Sequence, residues 1–178
     1  MAQVKGKFIT LAGWLMSAYP ADREKADTAL FIRTGKHWDE LDPEDWYDTQ
    51  LFDVFMRTYA KASPTGDRAL VTLGRKVYPT IRDTVGLPPH LRTPLDFIKF
   101  EAGGFLANHS GAAVVPRTFV KAVDGDVVVR APAPGYNSAL YIGVFLGILE
   151  MCGVKTGKVV QTKSQENGDS TSEFRITW

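Results

Sequence analysis

One run of residues limits what this chain can become: YNSALYIGVFLGILEMCG, from Tyr136 to Gly153. Every residue from Leu140 to Leu149 is apolar or glycine, and the first charge after them is Glu150. A helix that is apolar all round has to be wrapped on most sides. The run is too short to cross a bilayer, which takes about 17–25 residues. Strand-like segments flank it, so it reads as the central core helix of a soluble domain. Gly143 and Gly147 stand four apart on one face of that helix. Glycine costs about 1 kcal/mol against alanine there, which close approach of a neighbouring backbone or a ligand has to offset.

A chain of 178 residues fits one domain, or a domain with an intimately packed second lobe. With 44% apolar and 11% aromatic residues it can fill a sizeable core. A net charge of +1 excludes a broad basic footprint for nucleic acid. The single Cys152 leaves no internal disulfide and no cysteine-rich zinc site, which suits a reducing cytoplasm. At the N-terminus, Lys5 and Lys7 precede a short apolar segment with no small-residue cleavage site. An amphipathic first helix is therefore expected instead of a signal peptide, with Val4, Phe8, Leu11, Trp14, Leu15 and Ala18 on one face.

After Tyr19-Pro20 a second helix should run to Gly35. Asp42 is then expected to cap a third, with Pro43 at its first position, running to about Ala62 and burying Trp46, Phe52, Phe55 and Tyr59. Between His37 and Met56 lie seven acidic residues and no lysine or arginine, a solvated face or a docking surface around Asp42, Asp45 and Asp48. The spacing matches no calcium loop. A fourth helix carries Leu70, Leu73, Val77 and Ile81, with Pro79 ending or kinking it. Thr93-Pro94-Leu95-Asp96 has the pattern of a capping box opening a fifth helix, in which Gly103-Gly104 suggests a kink or a close crossing. From Val114 the periodicity shifts to that of strands: Thr118 to Val123 and Val127 to Ala131 form a hairpin around Asp124-Gly125-Asp126. Lys158 to Lys163 and Ser172 to Trp178 follow the apolar run. The expected class is α+β in a single domain over 1–178. A mainly helical lobe (1–112) precedes a β-β-α-β-β lobe (113–178) whose antiparallel sheet lies against the helix.

Chemistry is sparse. His37, His90 and His109 sit in three unrelated contexts, none in an HExxH. His109 falls at a helix C-terminus, where a positive imidazole would cap. There is no Gly-x-Ser-x-Gly elbow, and Thr34-Gly35-Lys36-His37 lacks the remainder of a phosphate loop. Cys152 reads as a core residue more readily than as a nucleophile. No metal site and no catalytic constellation emerge, which argues against an enzyme.

The order of several short segments resembles the haem-nitric-oxide/oxygen-binding (H-NOX) family, its haem-free bacterial relatives, and the wider superfamily that includes 4-vinyl-reductase-like sensing domains. The segments are Val4-Lys5-Gly6, Leu73-Gly74-Arg75, Pro116-Arg117, Phe145-Leu146-Gly147-Ile148-Leu149-Glu150 and the alternating last strand. The resemblance implies a proximal haem histidine on the helix before the sheet, but the corresponding position falls around Gly103 to Phe105, not on His109. The family's Tyr-x-Ser-x-Arg motif, whose arginine holds the haem propionates, is here Tyr136-Asn137-Ser138-Ala139-Leu140. With ligand and clamp both gone, the expectation is no haem and no other cofactor. The implied activity is that of a non-enzymatic, cytoplasmic regulatory module that binds a protein partner. The alternative is a sensor holding a small apolar ligand between the lobes, lined by Phe97, Phe105, Tyr136, Ser138, Leu140 and Tyr141. Neither nucleic acid nor membrane is an expected partner.

Overall fold

Gly6 marks the place where the chain leaves a strand and enters a helix. A side chain there would collide with the backbone carbonyl of Asp42, so only glycine lets the segments meet this closely. The computed structural model describes residues 1–178. Strand β1 (Gln3–Lys5) leads into α1 (Gly6–Leu15), and α2 (Pro20–Thr34) ends on Gly35 in the left-handed conformation. Strand β2 (Trp46–Asp48) precedes α3 (Thr49–Ala62), α4 (Arg68–Thr84), α5 (Pro94–Ala107) and β3 (His109–Ser110). The second half comprises β4 (Thr118–Val123), β5 (Asp126–Ala131), α6 (Ser138–Met151), β6 (Lys158–Lys163) and β7 (Ser172–Thr177).

Two antiparallel sheets result. The small one runs β2-β1-β3, pairing Val4 with Tyr47 on one side and with His109 on the other. The larger runs β4-β5-β7-β6, the α+β arrangement expected from the strand periodicity. Its inner face carries Val127, Val129, Phe174 and Ile176, all nearly fully buried, against α6. Phe174 packs on Tyr141 and Phe145 with ring centroids 5.5 and 6.0 Å apart.

The apolar helix α6 is wrapped as its composition demands, with the sheet on one side and α4 on the other. Gly143 and Gly147 are the points of closest approach. A methyl group on Gly74 of α4 would stand 2.5 Å from the Leu140 carbonyl and 2.9 Å from the Gly143 Cα, so the two backbones are in direct contact. Pro79 sits inside α4 and does not end it. Having no N–H, it leaves the Arg75 carbonyl without its helical donor, and Gly147 lies against that same carbonyl. A single core cluster of 32 buried residues draws on α1 through α6 and the large sheet.

Three local expectations change. The first helix begins at Gly6, so Val4 is buried in a strand; Ile9, Ala12, Gly13, Leu15 and Met16 form the buried side, while Trp14 is 54% exposed. The third helix starts at Thr49, with Asp48 as its cap accepting from the Gln50 N–H at 2.9 Å, and not at Pro43 under Asp42. The reason lies at the start of α1, where the Gly6 and Lys7 N–H groups donate to the Asp45 and Pro43 carbonyls, both at 2.9 Å. Those bonds hold 43–45 in a turn and let Trp46–Asp48 pair with β1. Gly103 and Gly104 make no close crossing, since a side chain at either would meet open space. The Thr93/Asp96 capping box forms as its pattern indicates.

Candidate functional site

Phe97, Glu101 and Phe105 follow one another every four residues on α5, so all three share one stripe, and all three are buried. A carboxylate in an apolar stripe is costly unless a cation meets it. The cation is Arg117, immediately before β4, whose side chain is 4% exposed and ion-pairs with Glu101. Its guanidinium is sandwiched by aromatic rings, 4.5 Å from the Phe105 centroid and 4.9 Å from that of Tyr141, the geometry of a cation–π contact. Arg117 Nε has no hydrogen-bond partner. Burial, and after it the Glu101 carboxylate, pushes the neighbouring Tyr78 phenol well up, so it stays neutral. Tyr141, also raised by burial, donates to the Pro134 carbonyl at 3.2 Å.

Beside this pair lies His109, placed by the pairing of β3 with β1. It is 5% exposed, stacked on Phe105 at 4.0 Å and met edge-on by Phe8 at 5.2 Å. Nδ1 lies 2.8 Å from the Phe105 carbonyl and Nε2 lies 2.8 Å from the Tyr136 hydroxyl. A carbonyl only accepts, so Nδ1 carries the proton and Nε2 accepts from Tyr136. Burial, reinforced by the Arg117 charge, lowers the imidazole to about 4. The histidine does meet a helix-terminal carbonyl, as its position suggested, but as a buried neutral ring and not a surface cation.

The residues expected to line an apolar pocket divide. Phe105, Tyr136 and Tyr141 converge on the Arg117–His109 cluster. Ser138 and Leu140 belong to the packing of α6: Ser138 Oγ accepts from Gln161 Nε2 of β6 at 2.7 Å, and the Leu140 carbonyl faces Gly74. Phe97 instead forms one wall of a cleft of about 250 Å³, shared with Arg82, Leu87, Leu91, Arg92, Met151 and Cys152. The acidic residues separate too, since Asp48 is spent as a cap while Asp42 and Asp45 stay exposed on the 42–45 turn. His37 lies on the surface, paired with Asp27 at 2.7 Å, and His90 is exposed. No group of three or more histidine, cysteine or acidic side chains is arranged to hold a metal ion. No helix is long and apolar enough to cross a membrane.

Glu101 was missed in the sequence although a signal existed: it interrupts the Phe97–Phe105 stripe, and a buried carboxylate requires a partner. That the partner is Arg117, sixteen positions on, had no linear signature.

The chain matches no protein-family model and no curated protein sequence. Among solved structures it is similar to the unliganded Fe(II) H-NOX protein from K. algicida, with a TM-score of 0.70 at 14% identity over 97% of this chain and 95% of that one. A mutant H-NOX from T. tengcongensis superposes with a TM-score of 0.67 at 13% identity, over 97% and 96% of the two chains. The likeness is one of fold: an H-NOX-like α+β architecture along nearly the whole chain.

Proposed function

We propose that this chain is a non-catalytic regulatory module that uses the H-NOX-like fold without haem and acts through contact with a protein partner. The observation that carries the reading is the state of the buried polar cluster. His109, the one histidine inside the protein, spends its Nδ1 proton on the Phe105 carbonyl and its single lone pair, on Nε2, on the Tyr136 hydroxyl, both at 2.8 Å, so binding iron would require that Tyr136 bond to break. Gly103 to Phe105, around which the family resemblance puts the axial ligand, offer no side-chain donor, and Leu140 replaces the arginine expected to hold the propionates. Between Phe105 and Tyr141, the interior is occupied by the Arg117 guanidinium and its ion pair with Glu101. The residues present therefore do not fit an iron porphyrin.

The partner surface is the acidic turn at 39–45, with Asp42 and Asp45 exposed and Asp48 withdrawn from it by its capping role. Its charge suits a basic protein surface. The decisive experiment is an absorption spectrum of protein purified from haem-producing cells without added haem. No Soret band is expected, and stoichiometric porphyrin would overturn the reading. The surface has its own test: Asp45→Lys should weaken co-purification of a bound partner at unchanged melting temperature, and undiminished capture would refute it.

A further inference from the structure

The connector at 86–92 leads into α5 and borders a cleft with the first turns of α5 and the C-terminal end of α6. Leu87, Leu91 and Met151 are only partly buried there, and with Pro88, Pro89, Phe97 and Cys152 they line the 250 Å³ cleft. That is about eight waters' worth of liquid volume, room for a small organic molecule. The lining is apolar on one side and cationic at the rim, where Arg82 and Arg92 stand.

The charges at the rim are not equivalent. Arg82 is engaged by Asp83, Nε to carboxylate at 2.8 Å. Asp96, the other nearby acid, turns Oδ2 to the backbone N–H groups of Arg92 and Thr93 at 3.1 and 2.9 Å, as part of the capping box. Those bonds hold its carboxylate below the ordinary range. The Arg92 guanidinium itself has neither an ion-pair nor a hydrogen-bond partner. Both acids beside the cleft are thus committed, while the Arg92 guanidinium stands open to solvent at the rim and is free to exchange water for an anion. A guanidinium presents a planar fork of donors that matches a carboxylate with two parallel hydrogen bonds.

We propose that this cleft binds a small anionic amphiphile: an apolar chain or ring with one carboxylate, its body against Leu87, Leu91, Phe97 and Met151 and its charge on Arg92. The site lies at the N-terminal end of the α5 stripe that carries Glu101 and Phe105 further along. An occupant would press on the same helix that holds the buried ion pair, and its presence does not depend on whether the interior holds porphyrin.

Cys152 makes the site directly readable. It is the only cysteine in the chain, it is partly exposed, and it lines the cleft. Burial, and then the Asp96 carboxylate, raises its thiol, so alkylation is slow enough to follow. The experiment measures the rate at which iodoacetamide alkylates the full chain in the presence of octanoate below its micelle concentration. Octanoate should slow the reaction saturably, octylamine of equal chain length should not, and Arg92→Gln should raise the half-saturating octanoate concentration about tenfold. Arg92 is exposed, so an unchanged melting temperature verifies that the variant folds. Three results overturn the proposal: full reactivity of Cys152 up to about 10 mM octanoate, equal protection by octylamine, or an Arg92→Gln variant protected as well as the parent. Porphyrin content is read separately by absorbance, so failure here and failure of the haem-free reading are distinguishable.

Discussion

The same substitution, glycine to alanine, should have opposite effects at two places in this protein. In a helix interior alanine is favoured over glycine by up to about 1 kcal/mol. At Gly103 in α5 nothing lies within 4 Å of a new methyl group, so that preference should appear undiminished. At Gly143 in α6 the methyl group would collide with the Val71 carbonyl and stand 2.9 Å from the Gly74 Cα. Both are backbone atoms, so no rotamer change relieves the clash and the α4–α6 contact has to open. Overpacking of this kind costs about 1–3 kcal/mol, and the rigid backbone places Gly143 near the upper end, for a net loss of about 1–2 kcal/mol after the helix preference is credited. For a chain of this length about 1 kcal/mol moves the melting temperature by about 2–4 °C. Gly143→Ala should therefore melt about 2–8 °C lower, and Gly103→Ala about 1–4 °C higher, in thermal unfolding followed by circular dichroism. If both shift in the same direction, or if Gly143→Ala is at least as stable as the parent, the account of α6 as a helix held by backbone contact is wrong.

Two further outcomes test the buried cluster. Glu101→Gln strands the Arg117 charge in the interior and should cost about 3–5 kcal/mol in urea unfolding, whereas Glu101→Met with Arg117→Met should recover most of that loss; a mild single variant would mean that the pair is solvated. His109 is held neutral in the fold, at about 4, against about 6.5 in the unfolded chain. The unfolded chain binds the proton first, so stability is full above 6.5 and is lost as pH falls from there towards 4, roughly 2 kcal/mol by about pH 5. Measured against His109→Gln, which cannot titrate and so cancels the common contribution of His37 and the carboxylates, the parent's advantage should shrink between about pH 7 and about pH 5; a constant difference would refute the buried neutral imidazole.

How much of this was legible depended on how local the cause was. The Thr93/Asp96 box, the hairpin at Asp124-Gly125 and the left-handed stop at Gly35 are each fixed by a few adjacent residues, and each forms where its pattern places it. The α3 start was misplaced because Asp42 and Asp48 are both competent caps. The choice between them was made by α1, whose unpaired N–H groups took the carbonyls of residues 43 and 45. Both glycine pairs suggested a close approach, yet Gly143 and Gly147 meet a backbone and Gly103 and Gly104 meet nothing. The candidate site was legible in parts: Phe105, Tyr136 and Tyr141 were named for their apolar rings, while the ion pair they enclose was not.

By itself, then, the sequence determined the main helices and the four strands of the larger sheet, because periodicity, capping residues and turn glycines act within a few positions of one another, whereas the three short strands of the smaller sheet exist only through their pairing. It determined also that α6 had to be covered, since its ten-residue apolar run is too short to cross a bilayer and would otherwise face water. Which surfaces cover α6, which carboxylate is buried against which arginine, and which nitrogen of His109 carries the proton were decided only by tertiary structure. Those contacts join residues 16 to 69 positions apart, such as Glu101 to Arg117, His109 to Tyr136 and Gly74 to Gly143. Their strength comes from a low-dielectric interior that exists only once the chain has closed around it.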